Sequence, residues 1–143
     1  WRGWSMDKIY ISINNNEEVI LLPVTPPEYE ISGDWENQEL LGINQPMNII
    51  QQGRLVTTSF ESFFPIRDYP FVINRSMWGM EYVEAIQRWR ERRVPIRVII
   101  TRNGKPHFNM AMTIDGFKWG TDKSGDINYK LDLKEFRFVE VRV

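Results

Sequence analysis

The strongest constraint on the fold of this chain is a contrast between two periods. Apolar residues recur at helical spacing in only one stretch, from Ser76 to Arg93, while much of the remainder alternates apolar and polar residues one by one. "INYKLDL" sets Ile127, Tyr129, Leu131 and Leu133 against Asn128, Lys130 and Asp132, and "KIYISI" sets Ile9, Ile11 and Ile13 against Tyr10 and Ser12. A period of two turns alternate side chains to one face of a strand. "NNNEE" separates "KIYISI" from the apolar "VILLPV", and Asn tolerates the left-handed backbone of tight turns, so these two read as a hairpin. "RLVTTSFESFFP" adds a strand of β-branched residues, and "PIRVIITR", "NGK" and "HFNMAMTIDGFKWG" read as strand, primed hairpin turn and one or two further strands.

The helical stretch carries Trp78, Tyr82, Ala85, Ile86 and Trp89 on one stripe, with Ser76 as the expected N-cap and Pro95 as the stop. Glu81 and Glu84 come early and Arg88, Arg90, Arg92 and Arg93 late, which matches the helix dipole. The "RWRERR" run therefore reads either as a solvated helix end or as a docking patch for an acidic partner surface or nucleic acid. The expected fold class is α+β: a mainly antiparallel β-barrel or sandwich of seven to nine strands with one flanking amphipathic helix.

With 143 residues, the chain suits one domain. That domain is expected over residues 6–143, with Trp1 to Ser5 read as an extraneous or disordered start before Met6. Cysteine is absent, which excludes disulfide and thiol chemistry, and the single histidine, His107, cannot by itself build a Cys/His zinc site. His107 is expected on a rim. A net charge of −1 lacks the basic excess of a nucleic-acid binder, and no apolar run approaches a membrane span. No GxGxxG, P-loop, GxSxG or HExxH motif occurs, and "DKSGD" lacks the oxygen spacing and closing Glu of an EF-hand. No cofactor, metal site or catalytic residue is expected, and the chain reads as a non-enzyme.

Two features resist this simple reading. From Gly33 to Gly53 the sequence is irregular yet carries Leu40, Leu41, Ile43, Met47, Ile49 and Ile50, which either fold back on the core or form a partner surface. At the end, "KEFRF" slips out of the alternation: Glu135 and Arg137 fall at core positions, while Phe136 and Phe138 fall at water positions. A β-bulge at Lys134–Glu135 would re-aim the two phenylalanines, toward the far end of the core or toward a neighbour.

"LPVTPPEYEIS", "TTSFESFFP" and the pair "EAIQRWRERRVPIRVIIT" and "GDINYKLDLKEFRFVEVR" together resemble, in order and spacing, the N-terminal domain of LysM-containing tail baseplate proteins. These belong to contractile-tailed phages of Gram-positive bacteria and to phage-tail-like bacteriocins. The match runs from Met6 to Val143. The resemblance implies a tail-tube-like fold and a homo-oligomeric ring, commonly a hexamer, that joins the tail tube to the baseplate hub and spike and starts tube assembly. The partners implied are the tube and hub/spike proteins, within a virion or phage-tail-like particle assembled in the host cytoplasm. No LysM module is present in the sequence. The subunit-contact candidates are Leu40, Leu41, Ile43, Met47, Ile49, Ile50, Phe136 and Phe138. Alternative readings are a peptidoglycan- or carbohydrate-binding module using Trp35, Trp78, Trp89 or Trp119, and an enzyme with a cryptic acidic pair.

Overall fold

A computed structural model describes residues 7–33 and 55–137 of the chain. In chain order its elements are β1 (Asp7–Ile13), β2 (Glu18–Leu21), β3 (Ile31–Ser32), β4 (Thr57–Phe64), α1 (Met80–Arg92), β5 (Ile96–Arg102), β6 (Lys105–Thr121) and β7 (Ile127–Glu135). The seven strands form one sheet in the order β2-β1-β5-β6-β7-β4-β3, and every neighbouring pair is antiparallel. The α+β class and the strand number agree with the sequence pattern. The sheet is open rather than a closed barrel.

The period-two pattern sorts the two faces. Ile11, Val98 and Met110 share one row across β1, β5 and β6, and Ile13, Ile96 and Met112 share the next. Toward the other edge, Phe60 pairs with Leu131 and Phe64 with Ile127, and all four are buried. Helix α1 lies over the buried face and contributes Tyr82, Val83, Ala85, Ile86 and Trp89 to the core. The Phe64 ring is stacked between Tyr82, at 4.7 Å, and Tyr129, at 4.1 Å, so the helix and two strands meet in one aromatic column.

The sheet curls strongly, as chain length alone requires. Val24 follows the last residue of β2 by three positions, about 10 Å of extended chain, yet its carbonyl accepts from Ser62 Oγ on β4 at 3.0 Å. In a flat sheet of this order, five spacings of about 4.8 Å would separate those strands. The segment from Leu22 to Glu30 is thus a strap across the gap between the sheet's ends. Thr25 Oγ1 donates to the Asp7 carbonyl and Thr58 Oγ1 to the Glu30 carbonyl. Tyr29 donates its hydroxyl to Asp7 on β1 and packs edge-on against Phe60 on β4.

Two expectations need correction, and one left open is settled. The helix begins at Met80, not after a Ser76 cap. Its N-cap is Gly79, which makes no side-chain cap, and Ser76 Oγ instead bonds to Asn74 Oδ1. Glu81 reaches back to accept from the Trp78 amide at 2.8 Å, which holds the residue just ahead of the cap. Of the one or two strands left open for "HFNMAMTIDGFKWG", the structure has one, within a 17-residue strand that carries a bulge between Ile114 and Gly116. Finally, β7 does not slip at Lys134–Glu135. Its pairing stays regular to Thr57↔Lys134 and Met112↔Glu135, and Glu135 is buried at a core position. There its Oε1 accepts from the Val56 amide at 2.9 Å while its own amide donates to the Val56 carbonyl at 2.7 Å. A carboxylate with a backbone donor is tolerable where an apolar residue was expected.

Candidate functional site

Burial of a carboxylate in a fold this size signals either structure or chemistry, so the buried acids come first. Asp7 accepts a two-pronged bond from Arg102, at 2.9 and 3.1 Å, and a bond from the Tyr29 hydroxyl. The Arg102 bonds hold its carboxyl below the usual carboxylate range, with Tyr29 assisting against burial. Burial would raise Asp126, but bonds from the Tyr69 hydroxyl, the Ile66 amide and the Ser124 hydroxyl outweigh it and hold the carboxyl low. Glu135 is engaged by Val56 and by Arg137 Nε at 3.3 Å. All three tie separate chain segments together.

The other candidates from sequence divide clearly. Arg88 pairs with Glu18 at 2.6 Å and Arg92 with Glu17 at 3.2 Å, so half of the arginine run clamps the helix end to the β1–β2 turn. Trp89 is fully buried and donates Nε1 to Glu18 Oε1 at 3.0 Å. Trp78 is half-buried, and Trp119 is 41% exposed. His107 is exposed beside Asp7, Tyr29 and Arg102 in a groove of ≈ 770 Å³. In "DKSGD", Asp122 Oδ1 accepts from the Ser124 amide and hydroxyl and from the Asp126 amide, a self-contained turn. Among the described residues no group of three or more His, Asp or Glu is placed to hold a metal. No helix among them is long and apolar enough to cross a membrane. Leu40, Leu41, Ile43, Met47, Ile49, Ile50, Trp35 and Phe138 lie outside the described residues. Phe136 is half-buried, and its amide donates to the Ala111 carbonyl at 2.9 Å.

The outer face of the sheet, opposite α1, carries the arrangement that sequence alone did not reveal. At the β3–β4–β7 end, Glu28, Glu30, Glu61, Asp115 and Asp132 line a groove of ≈ 530 Å³ in which Lys130 is the one base. The bulge in β6 sets Asp115 between Ile114 and Gly116. Gly116 leaves room for Asp132, because a Cβ there would sit 3.0 Å from Asp132 Oδ2. Asp132 accepts from Ser59 Oγ at 2.8 Å. Glu28, Glu30, Glu61 and Asp115 make no side-chain hydrogen bond or ion pair among the described residues.

At the β1–β5–β6 end, register places Val19, Ser12, Arg97 and Ala111 in one outer row. Ser12, Arg97 and Ala111 line a trough of ≈ 490 Å³ walled by Asn14–Asn16 and Val94–Ile96. The wall is shaped by three successive left-handed residues, Asn14, Asn15 and Asn16, with φ of 52°, 55° and 66°. Its lining contains no acid. Arg97 Nη1 donates to Asn109 Oδ1 at 2.7 Å. Ser12 is 3% exposed, and its hydroxyl has no partner among the described residues. Ser12 sits between Ile11 and Ile13 at an ordinary outward position of the β1 alternation, so nothing in the sequence singled it out.

Neither a protein-family model nor a curated protein sequence matches this chain.

Proposed function

We propose that this chain is a structural subunit of a phage or phage-like contractile tail. In this reading it is a tail-tube-like domain that forms an adaptor ring between the tail tube and the baseplate hub, and that starts tube assembly. The observation that carries the reading is the outer face of the sheet. Helix α1 covers one face, whereas the other presents a strand-built surface with an acidic groove at one end and an acid-free trough at the other. A head-to-tail ring needs two different patches on each subunit. The sheet also ends in short edge strands, four residues in β2 and two in β3. The three buried carboxylates are committed to structural bonds, which favours a scaffold over an acid–base enzyme. The sequence resemblance supplies the tail context.

The test is co-expression of the chain with a tube protein of a contractile tail, followed by imaging of the particles. A ring of this chain at one end of the tube supports the reading. A chain that stays monomeric at all concentrations and never enters tail particles refutes it. A second reading, a peptidoglycan-binding module, rests on Trp119, the exposed ring beside Phe63 and Lys118. Unchanged tryptophan fluorescence on titration with cell-wall fragments would remove it.

A further inference from the structure

We propose that the trough at Ser12 and Arg97 is a carboxylate receptor, filled by the acidic face of a neighbouring copy of the same chain. This inference rests on the ring reading and assigns its contact to residues.

The chemistry of the trough is that of a donor set. The Arg97 guanidinium uses one N–H on Asn109 and keeps others available, because the group carries five donors in a planar fork. The Ser12 side chain lies at the floor of the trough, and its hydroxyl has no partner among the described residues. Its oxygen is open to the trough rather than sealed from it, so the hydroxyl can donate to an acceptor brought in from outside. The Asn15 and Asn16 carboxamides on the wall make no side-chain bond among the described residues either. A carboxylate accepts at two oxygens and fits a guanidinium side by side, so it is the group this set best receives.

The acidic face supplies the complement. Glu61 and Asp115 are exposed and make no side-chain hydrogen bond or ion pair among the described residues, and the groove they line holds five acids to one base. The two patches occupy different parts of the outer face, the trough on β1, β5 and the first half of β6, and the acidic groove on β3, β4 and β7 with Asp115 from the β6 bulge. The net charge of −1 thus conceals a segregated surface. Such segregation steers copies into one orientation and disfavours like-to-like contact.

The experiment uses the full chain. Self-association is followed by sedimentation and by incorporation into tail particles, and circular dichroism confirms folding. Arg97→Glu and the pair Glu61→Lys with Asp115→Lys each leave the fold intact, since all three side chains are exposed. Each is expected to weaken association by roughly tenfold or more. Mixing the two variants restores association as alternating assemblies. The glutamate introduced at position 97 then meets the introduced lysines, while the native Arg97 of the other variant meets native acids. Arg97→Gln, a milder change, falls between. Wild-type association in Arg97→Glu, or no recovery on mixing, overturns this inference and leaves the ring reading standing. A wild-type chain that never associates or enters particles overturns both.

Discussion

Replacing Tyr129 with Phe should make this protein more stable. The aromatic column Tyr82–Phe64–Tyr129 buries both tyrosines, to 0% and 4% exposure, and neither hydroxyl has a hydrogen-bond partner among the described residues. A buried hydroxyl left unpaired costs about 1–3 kcal/mol, while Tyr→Phe keeps the ring and its stacking. The expected gain for Tyr129→Phe is about 1 kcal/mol, a rise in Tm of about 3–5 °C for a chain of this size. Tyr82→Phe should act in the same direction, and the double variant should depart from additivity, because both rings stack on the shared Phe64. Alkaline pH gives an independent check. Burial, with the Glu81 charge assisting, pushes the Tyr82 hydroxyl up to about 12, and burial pushes Tyr129 up as well. Above the ordinary value near 10 the unfolded chain releases these protons while the folded chain retains them. Stability is therefore intact below about pH 10 and falls above it, by up to about 1.4 kcal/mol per pH unit for each tyrosine. Thermal melts from pH 7 to 11 should show this fall in the wild type and a shallower one in each Phe variant. A Tyr129→Phe protein less stable by 1 kcal/mol or more, with an unchanged alkaline slope, would refute the reasoning.

Glu135→Ala leaves the buried Val56 amide without its acceptor and should destabilise the fold by about 2–3 kcal/mol in urea unfolding. Phe136→Ser changes a half-buried residue one position on and should disturb association more than stability, measured by sedimentation beside the same unfolding curve. Asp7 and Asp126 both hold their protons less tightly when folded, so their contribution is present above about pH 4 and fades as pH falls below it. Asp7→Asn should flatten that acid arm of the stability profile. At Gly125, φ is +94° and a Cβ would approach Ile66 Cδ1 to 2.6 Å. Gly125→Ala should destabilise by about 1–2 kcal/mol from the left-handed backbone alone, and adding Ile66→Ala should relieve only the remainder.

The parts of this fold that were legible in sequence are those set by neighbours along the chain. Alternation in "KIYISI" and "INYKLDL" marked β1 and β7, and the Trp89 stripe marked the helix. The parts that were hidden depend on partners far away. Ser76 is a good N-cap by residue type, but its hydroxyl finds Asn74, and the helix start is instead secured by Glu81 reaching the Trp78 amide. Asp115-Gly116 looks like a turn in isolation, yet β7 pairs along the strand on both sides of it and makes it a bulge. The trough at Ser12 needed the register of three strands before Arg97 and Ala111 could be placed beside it.

The terminal strand shows how one such distant partner alters a functional reading. By residue type, Glu135 marked a change of face, and the two phenylalanines after it would then have served another layer together. With Val56 as acceptor and donor, Glu135 instead belongs to the core row, and the regular register holds up to it. Ile127, Tyr129, Leu131, Leu133 and Glu135 thus all serve the domain's own interior. Val56 stands just before β4 begins at Thr57, so the Glu135 contact also fixes where the chain enters that strand after the segment 34–54. Phe136 follows on the opposite row, and its amide is held by Ala111, a residue that lines the trough. On the ring reading proposed above, the boundary between folding and association is expected between two adjacent residues, Glu135 and Phe136, and their substitutions should separate the two properties.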